Sequence, residues 1–127
     1  MDTVRVLQAT TANNPASRDP QVMALNHKAI DMQAQGKHDE AEALLLQALS
    51  LEPSNFFTLY SLGVSRSAQT DSQGALGYFN QACEASPQQP LGYFAKAKTL
   101  HDLGLAEAAL EAYDQAIAAD PHYLEAY

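Results

Sequence analysis

Four histidines, one cysteine and fifteen carboxylates are the residues of this 127-residue chain best suited to hold a metal, attack a substrate or move a proton. Metal ligation requires such side chains at short, fixed spacings. His27, His38, His101 and His122 are spread along the chain without one, and Cys83 has no CxxC partner. The GxSxG, HExxH, GxxxxGK[ST] and GxGxxG patterns that would announce a nucleophile, a zinc site or a phosphate cradle do not occur. Asp39, Glu40 and Glu42 do cluster, but at the start of a helical pattern, where carboxylates interact favourably with the helix dipole. The expectation is a chain that is not an enzyme and takes no metal or cofactor.

The charge balance narrows the partners. Seven Lys and Arg against fifteen Asp and Glu leave a net charge of -8, which repels nucleic-acid phosphates and anionic lipid alike. The partners expected are therefore proteins or peptides, with no nucleic acid and no membrane. The N-terminal residues MDTVRVLQATTANNPASRDP lack the basic start and the apolar run of about 7 to 15 residues that a signal peptide carries, and no window reaches the about 18 apolar residues of a membrane span. With a single cysteine, a reducing, cytoplasmic setting is expected.

The elements that must position any binding surface emerge from an internal period. Pro53, Pro87 and Pro121 lie 34 residues apart, and the same step aligns Ala41, Ala75 and Ala109, then Leu45, Phe79 and Tyr113, then Ala48, Ala82 and Ala116. Looser columns precede them: Leu25, Leu59 and Tyr93; Lys28, Leu62 and Lys96; Ala29, Gly63 and Ala97; Met32, Arg66 and Leu100. Each unit is split by a breaker, at Gln35-Gly36-Lys37, Thr70-Asp71-Ser72 and Leu103-Gly104-Leu105, so two helices per unit are expected. The apolar residues of each half recur at three- and four-residue steps, as on one face of a helix. The prolines end one unit and admit the next, since proline lacks the N–H that continues a helix and restrains the residue before it. The alanine columns leave room for close helix approach. Cys83 shares a column with Leu49 and Ile117, which marks it for packing. Arg66 occupies a column of Met32 and Leu100 and must send its guanidinium to water or to an acidic neighbour; exchange for leucine is expected to stabilise the fold or leave it unchanged.

With Leu62-Gly63, Ala75, Phe79 and Pro87 in place, the middle unit resembles the tetratricopeptide repeat, a 34-residue unit with an aromatic, Leu-Gly, Tyr, Ala, aromatic, Pro pattern. Departures are the absent Trp, Arg66 in an aromatic position, and Lys28 and Lys96 in place of Leu. The resemblance covers residues 22–123 and implies an all-α fold, a right-handed α-solenoid of antiparallel helix pairs. Residues 1–21 are expected to form a linker with a short helix near Val4 to Gln8. Three repeats follow at 22–55, 56–89 and 90–123, and 124–127 begin a truncated fourth. Capping logic would then call for more chain, or for a second copy against the open end.

In such domains the first helices line a concave surface that grips a peptide or helix. The matching positions are Met23, Asn26, Ile30, Phe57, Tyr60, Val64, Leu91, Phe94, Lys98 and His101, which recur at three- and four-residue steps away from the Leu25, Leu59 and Tyr93 column. Family members that clamp the acidic C-terminus of chaperones use Lys, Asn and Arg at fixed places. Only Asn26 and Lys98 are of a suitable type here. The asparagine ladder of O-linked N-acetylglucosamine transferases is likewise replaced, by His27, Ser61 and Ala95. The stripe is instead apolar and aromatic with a polar end at Lys98 and His101. The expectation is a bacterial-style protein-interaction module. Two alternatives are the N-terminal recognition region of a repeat-fused bacterial enzyme, such as a glycosyltransferase or methyltransferase, and a self-assembling scaffold.

Overall fold

The computed structural model describes residues 19–120, so the expectations for residues 1–18 and 121–127 lie outside the described residues. Six helices follow one another: α1 (Pro20–Ala34), α2 (His38–Leu51), α3 (Phe56–Ala68), α4 (Ser72–Ala85), α5 (Pro90–Asp102) and α6 (Ala106–Ala119). They pack as three helix pairs, α1 with α2, α3 with α4 and α5 with α6, and each pair leans on the next. This is an all-α helical-repeat solenoid, in which a unit buries its apolar faces only against its neighbours. None of the described helices is long and apolar enough to cross a membrane.

Local chemistry sets the helix bounds. Pro20 and Pro90 open α1 and α5 from within the first turn, where a missing N–H is harmless. The side chains of Asp19, Asn55 and Asp71 accept from the backbone N–H groups of Gln21, Thr58 and Gly74 at 2.8, 3.0 and 2.9 Å and so cap α1, α3 and α4. Within each pair the chain reverses through a left-handed residue: Gly36 (φ 78°), Thr70 (φ 61°) and Gly104 (φ 81°), one 34-residue step apart. The middle unit thus puts a β-branched residue where the others have glycine, a conformation that costs an L-residue about 1–2 kcal/mol.

The alanine columns run down the core. Ala29, Ala41, Leu45 and Leu62 form one buried cluster, Phe56, Leu59 and Ala82 a second, and Ala97, Leu100, Ala109 and Ala112 a third. Cys83 is buried with them, and burial pushes its thiol up to about 11, against a smaller opposing influence of Lys96. The reactive thiolate is disfavoured there.

Arg66 has the acidic neighbours its position demands. Its guanidinium pairs with Glu42 on α2 through one terminal nitrogen and reaches Asp71 Oδ2 at 3.4 Å through the other. Glu42 is the more deeply buried partner, so leucine at position 66 would strand a shielded carboxylate. The sequence-based expectation of a neutral or stabilising exchange is therefore reversed: Arg66→Leu should cost about 1 kcal/mol in urea melts, a figure kept low because the arginine is one-third exposed. Recovery of stability on adding Glu42→Gln would confirm the pair as the cause; an Arg66→Leu protein as stable as wild type would refute it.

Candidate functional site

The first helices carry the ten residues singled out above, and the structure divides them into three sets. Asn26 is buried and turned inward: its Oδ1 accepts from the Thr58 hydroxyl at 3.0 Å, while Asn55 Oδ1 accepts from the Thr58 amide. It ties α1 to α3. A second tie lies two turns along, where Gln33 Nε2 donates to the Ser61 carbonyl at 2.8 Å and to Ser65 Oγ at 2.7 Å. Amide side chains thus fill the seam between α1 and α3, and the Thr58 and Ser65 hydroxyls buried in it are both hydrogen-bonded.

The seam between α3 and α5 is built differently. Tyr60 and Val64 on α3 face Leu91, Phe94 and Lys98 on α5 across a groove of about 400 Å³, with Phe79 of α4 at its base and Asp102 at one end. The groove stays open because the residues between the large ones are small: Ser67 and Ala68 on one side, Ala95 on the other. Five of the ten sequence-selected residues meet here. Aromatic packing holds the walls in place. Tyr60 stacks on Phe56 with ring centroids 5.9 Å apart and leans on Phe79 at 5.7 Å, and Phe94 meets Tyr113 of α6 edge-on at 5.7 Å.

The remaining four, Met23, Ile30, Phe57 and His101, are exposed and lie outside the groove lining. Phe57 and Val64 are seven residues apart, hence on one face of α3, so exposed aromatic surface continues from the groove. Sequence reasoning missed Asp102 and Phe79 as groove residues. Asp102 could have been found one turn beyond Lys98. Phe79 could not, since its column reads as core and its ring is in fact buried, meeting the groove only as its floor. The described residues contain no group of three or more His, Cys, Asp or Glu placed to hold a metal ion.

The groove thus lies on the first helices of the second and third of three stacked pairs. A tetratricopeptide repeat model matches residues 28–90 and, overlapping, 60–124. The chain belongs to the tetratricopeptide repeat family. No curated protein sequence matches it significantly. Among solved structures it is similar to the tetratricopeptide domain of Sgt2 from Aspergillus fumigatus (TM-score 0.78, 23% identity, 86% of this chain and 72% of that one). It is similar also to the first tetratricopeptide domain of Spaghetti (RPAP3) bound to the HSP90 peptide SRMEEVD (TM-score 0.78, 20% identity, 84% and 86%). A third likeness is to the Thermobaculum terrenum O-GlcNAc transferase (TM-score 0.76, 21% identity), where 85% of this chain corresponds to 21% of the enzyme. At these identities the likeness is one of fold.

Proposed function

We propose that this tetratricopeptide repeat chain is a non-catalytic protein-interaction module that holds a peptide or helix of a partner in the groove between α3 and α5. The observation that carries the reading is the groove itself. Tyr60 and Val64 on one side and Leu91 and Phe94 on the other give an open trough apolar walls on rigid helices, with one lysine and one carboxylate to fix orientation. The Spaghetti domain bound to an HSP90 peptide supports peptide capture by this fold. The anchor proposed here is apolar rather than a terminal carboxylate, because Asn26 is spent on Thr58 and leaves Lys98 alone among the residues a carboxylate clamp would use. A net charge of -8 favours protein over nucleic-acid or anionic-membrane partners. A second reading, favoured by the likeness to part of the O-GlcNAc transferase chain, joins the same groove to a catalytic domain as its recognition segment.

Peptides selected from a random display library against the chain provide the test. A photo-crosslinking residue placed at Val64, in the groove, should capture them, and the same residue at Leu46, exposed on α2, should not. Capture from position 46 alone would move binding to the other face and end the groove reading.

A further inference from the structure

Inside the solenoid, each second helix is covered by the first helix of the following pair. On α2, Leu49 packs against Phe56 and Leu59 of α3, and Glu42 meets Arg66. On α4, Leu76 packs against Ala97 and Leu100 of α5, and Cys83 lies under Gly92, where an added Cβ would come within 3.2 Å of its sulfur. The 34-residue step carries Glu42 and Leu76 onto Leu110, and Leu49 and Cys83 onto Ile117. These two residues stand seven apart, on one face of α6. Among the described residues no helix covers them: Leu110 is 65% and Ile117 42% exposed.

Charge says what kind of helix fits. The second helices α2, α4 and α6 carry seven carboxylates and no Lys or Arg, whereas Lys28, Arg66, Lys96 and Lys98 all lie on first helices. The covering helix accordingly brings a cation at both internal seams. Arg66 reaches Glu42, and Lys96 acts on Cys83 alongside Glu84. On α6, Glu107, Glu111 and Asp114 are exposed and flank the apolar pair, with no cation paired to them among the described residues.

We propose that the outer face of α6, centred on Leu110 and Ile117 and edged by these carboxylates, is a second docking surface, for a basic amphipathic helix of a partner protein. The helix presents a small residue over Ile117 and a Lys or Arg one turn later, as Gly92 and Lys96 stand on α5. A second copy of this chain fits less well. Pairing α6 with α6 sets three carboxylates against three, and α1 of another copy would bring Asp31 to the position at which Ser65 and Thr99 are buried against the preceding first helix. The surface is separate from the concave groove, so the two proposals fail independently.

The probe is a stapled, fluorescently labelled helix copying residues 88–104, the molecule's own covering helix, beside a version with both lysines, Lys96 and Lys98, changed to Glu. The staple offsets the weak helicity of a short free peptide. Fluorescence anisotropy with the 127-residue chain should show saturable binding that falls at least about tenfold for the charge-reversed peptide and for the Leu110→Ser, Ile117→Ser chain. Phe94→Ala should leave it unchanged. Glu111→Lys with Asp114→Lys, both exposed positions, should restore binding of the charge-reversed peptide, a gain that misfolding cannot mimic. Equal affinity for both peptides, or loss on Phe94→Ala, would overturn the proposal. So would a light-scattering dimer that dissociates on Leu110→Ser, which assigns the face to a second copy. Binding that emerges only after removal of residues 121–127 would assign it to that segment.

Discussion

Gly63→Ala should lower the stability of the chain by about 1 kcal/mol, although alanine is the better helix former by about 1 kcal/mol in an ordinary helical position. A Cβ at residue 63 would fall inside the contact radius of three carbons of the Phe79 ring, which is itself only 3% exposed and has little room to retreat. The column shows how the two positions compensate. In the first pair Ala29 faces a column occupied by Leu45, and in the third Ala97 faces Tyr113, which is only partly buried against the core and meets Phe94 edge-on. Only the middle pair buries an aromatic ring fully, and only there has the small residue shrunk to glycine. Overpacking of such a site costs about 1–3 kcal/mol before the gain in helix propensity is subtracted. The urea midpoint of Gly63→Ala should therefore drop, and Phe79→Leu added to it should recover most of the loss by restoring the combination of the first pair. Phe79→Leu alone should destabilise by leaving a void. If Gly63→Ala melts like wild type, or if the two changes simply add, the ring and the glycine are not coupled and the account is wrong.

The period, the helix pairing and the alanine core were legible because each rests on local spacing. Pro53 and Pro87 fall two residues beyond the last residues of α2 and α4, Leu51 and Ala85, and the columns of Ala41, Ala75 and Ala109 are buried throughout. The groove was only half legible. Spacing puts Tyr60, Val64, Leu91, Phe94 and Lys98 on one stripe, but it gives Asn26 the same standing. Which way Asn26 turns depends on Thr58 and Asn55, 32 and 29 residues away, since an amide that finds a buried hydroxyl is held there by the cost of leaving either group unpaired. Arg66 illustrates the same limit. Its column reads as apolar, and Glu42 becomes visible as its partner only when α2 and α3 are set side by side. Contacts between repeats depend on side chains that differ from unit to unit, so a periodic pattern reveals the frame and not the ties.

Phe94→Ala should weaken capture of a groove-bound peptide by about thirtyfold, about 2 kcal/mol, because large rigid rings near the centre of an interface contribute most of its energy. The same sequence pattern assigned Tyr60 an equal share in binding, and the structure separates the two. Tyr60 is packed between Phe56 and Phe79, both nearly fully buried, so its ring belongs to the core on one side and to the groove on the other. Tyr60→Ala should then cost about 3 kcal/mol of folding stability, in the range of aromatic truncations from a core, besides its effect on binding. Phe94 is half-buried and meets the Tyr113 ring edge-on, so its loss should cost about 1 kcal/mol of stability. The measurement is a pair of titrations for each variant: urea melting followed by circular dichroism, and anisotropy with a labelled peptide that crosslinks from position 64. Glu111→Ala, on an exposed face of α6, is the control that should change neither. Should Phe94→Ala lose as much stability as Tyr60→Ala, its ring is a structural wall and the groove is a by-product of packing. Should it fold, melt near wild type and still bind with unchanged affinity, the peptide is held by residues other than those that line the trough between α3 and α5.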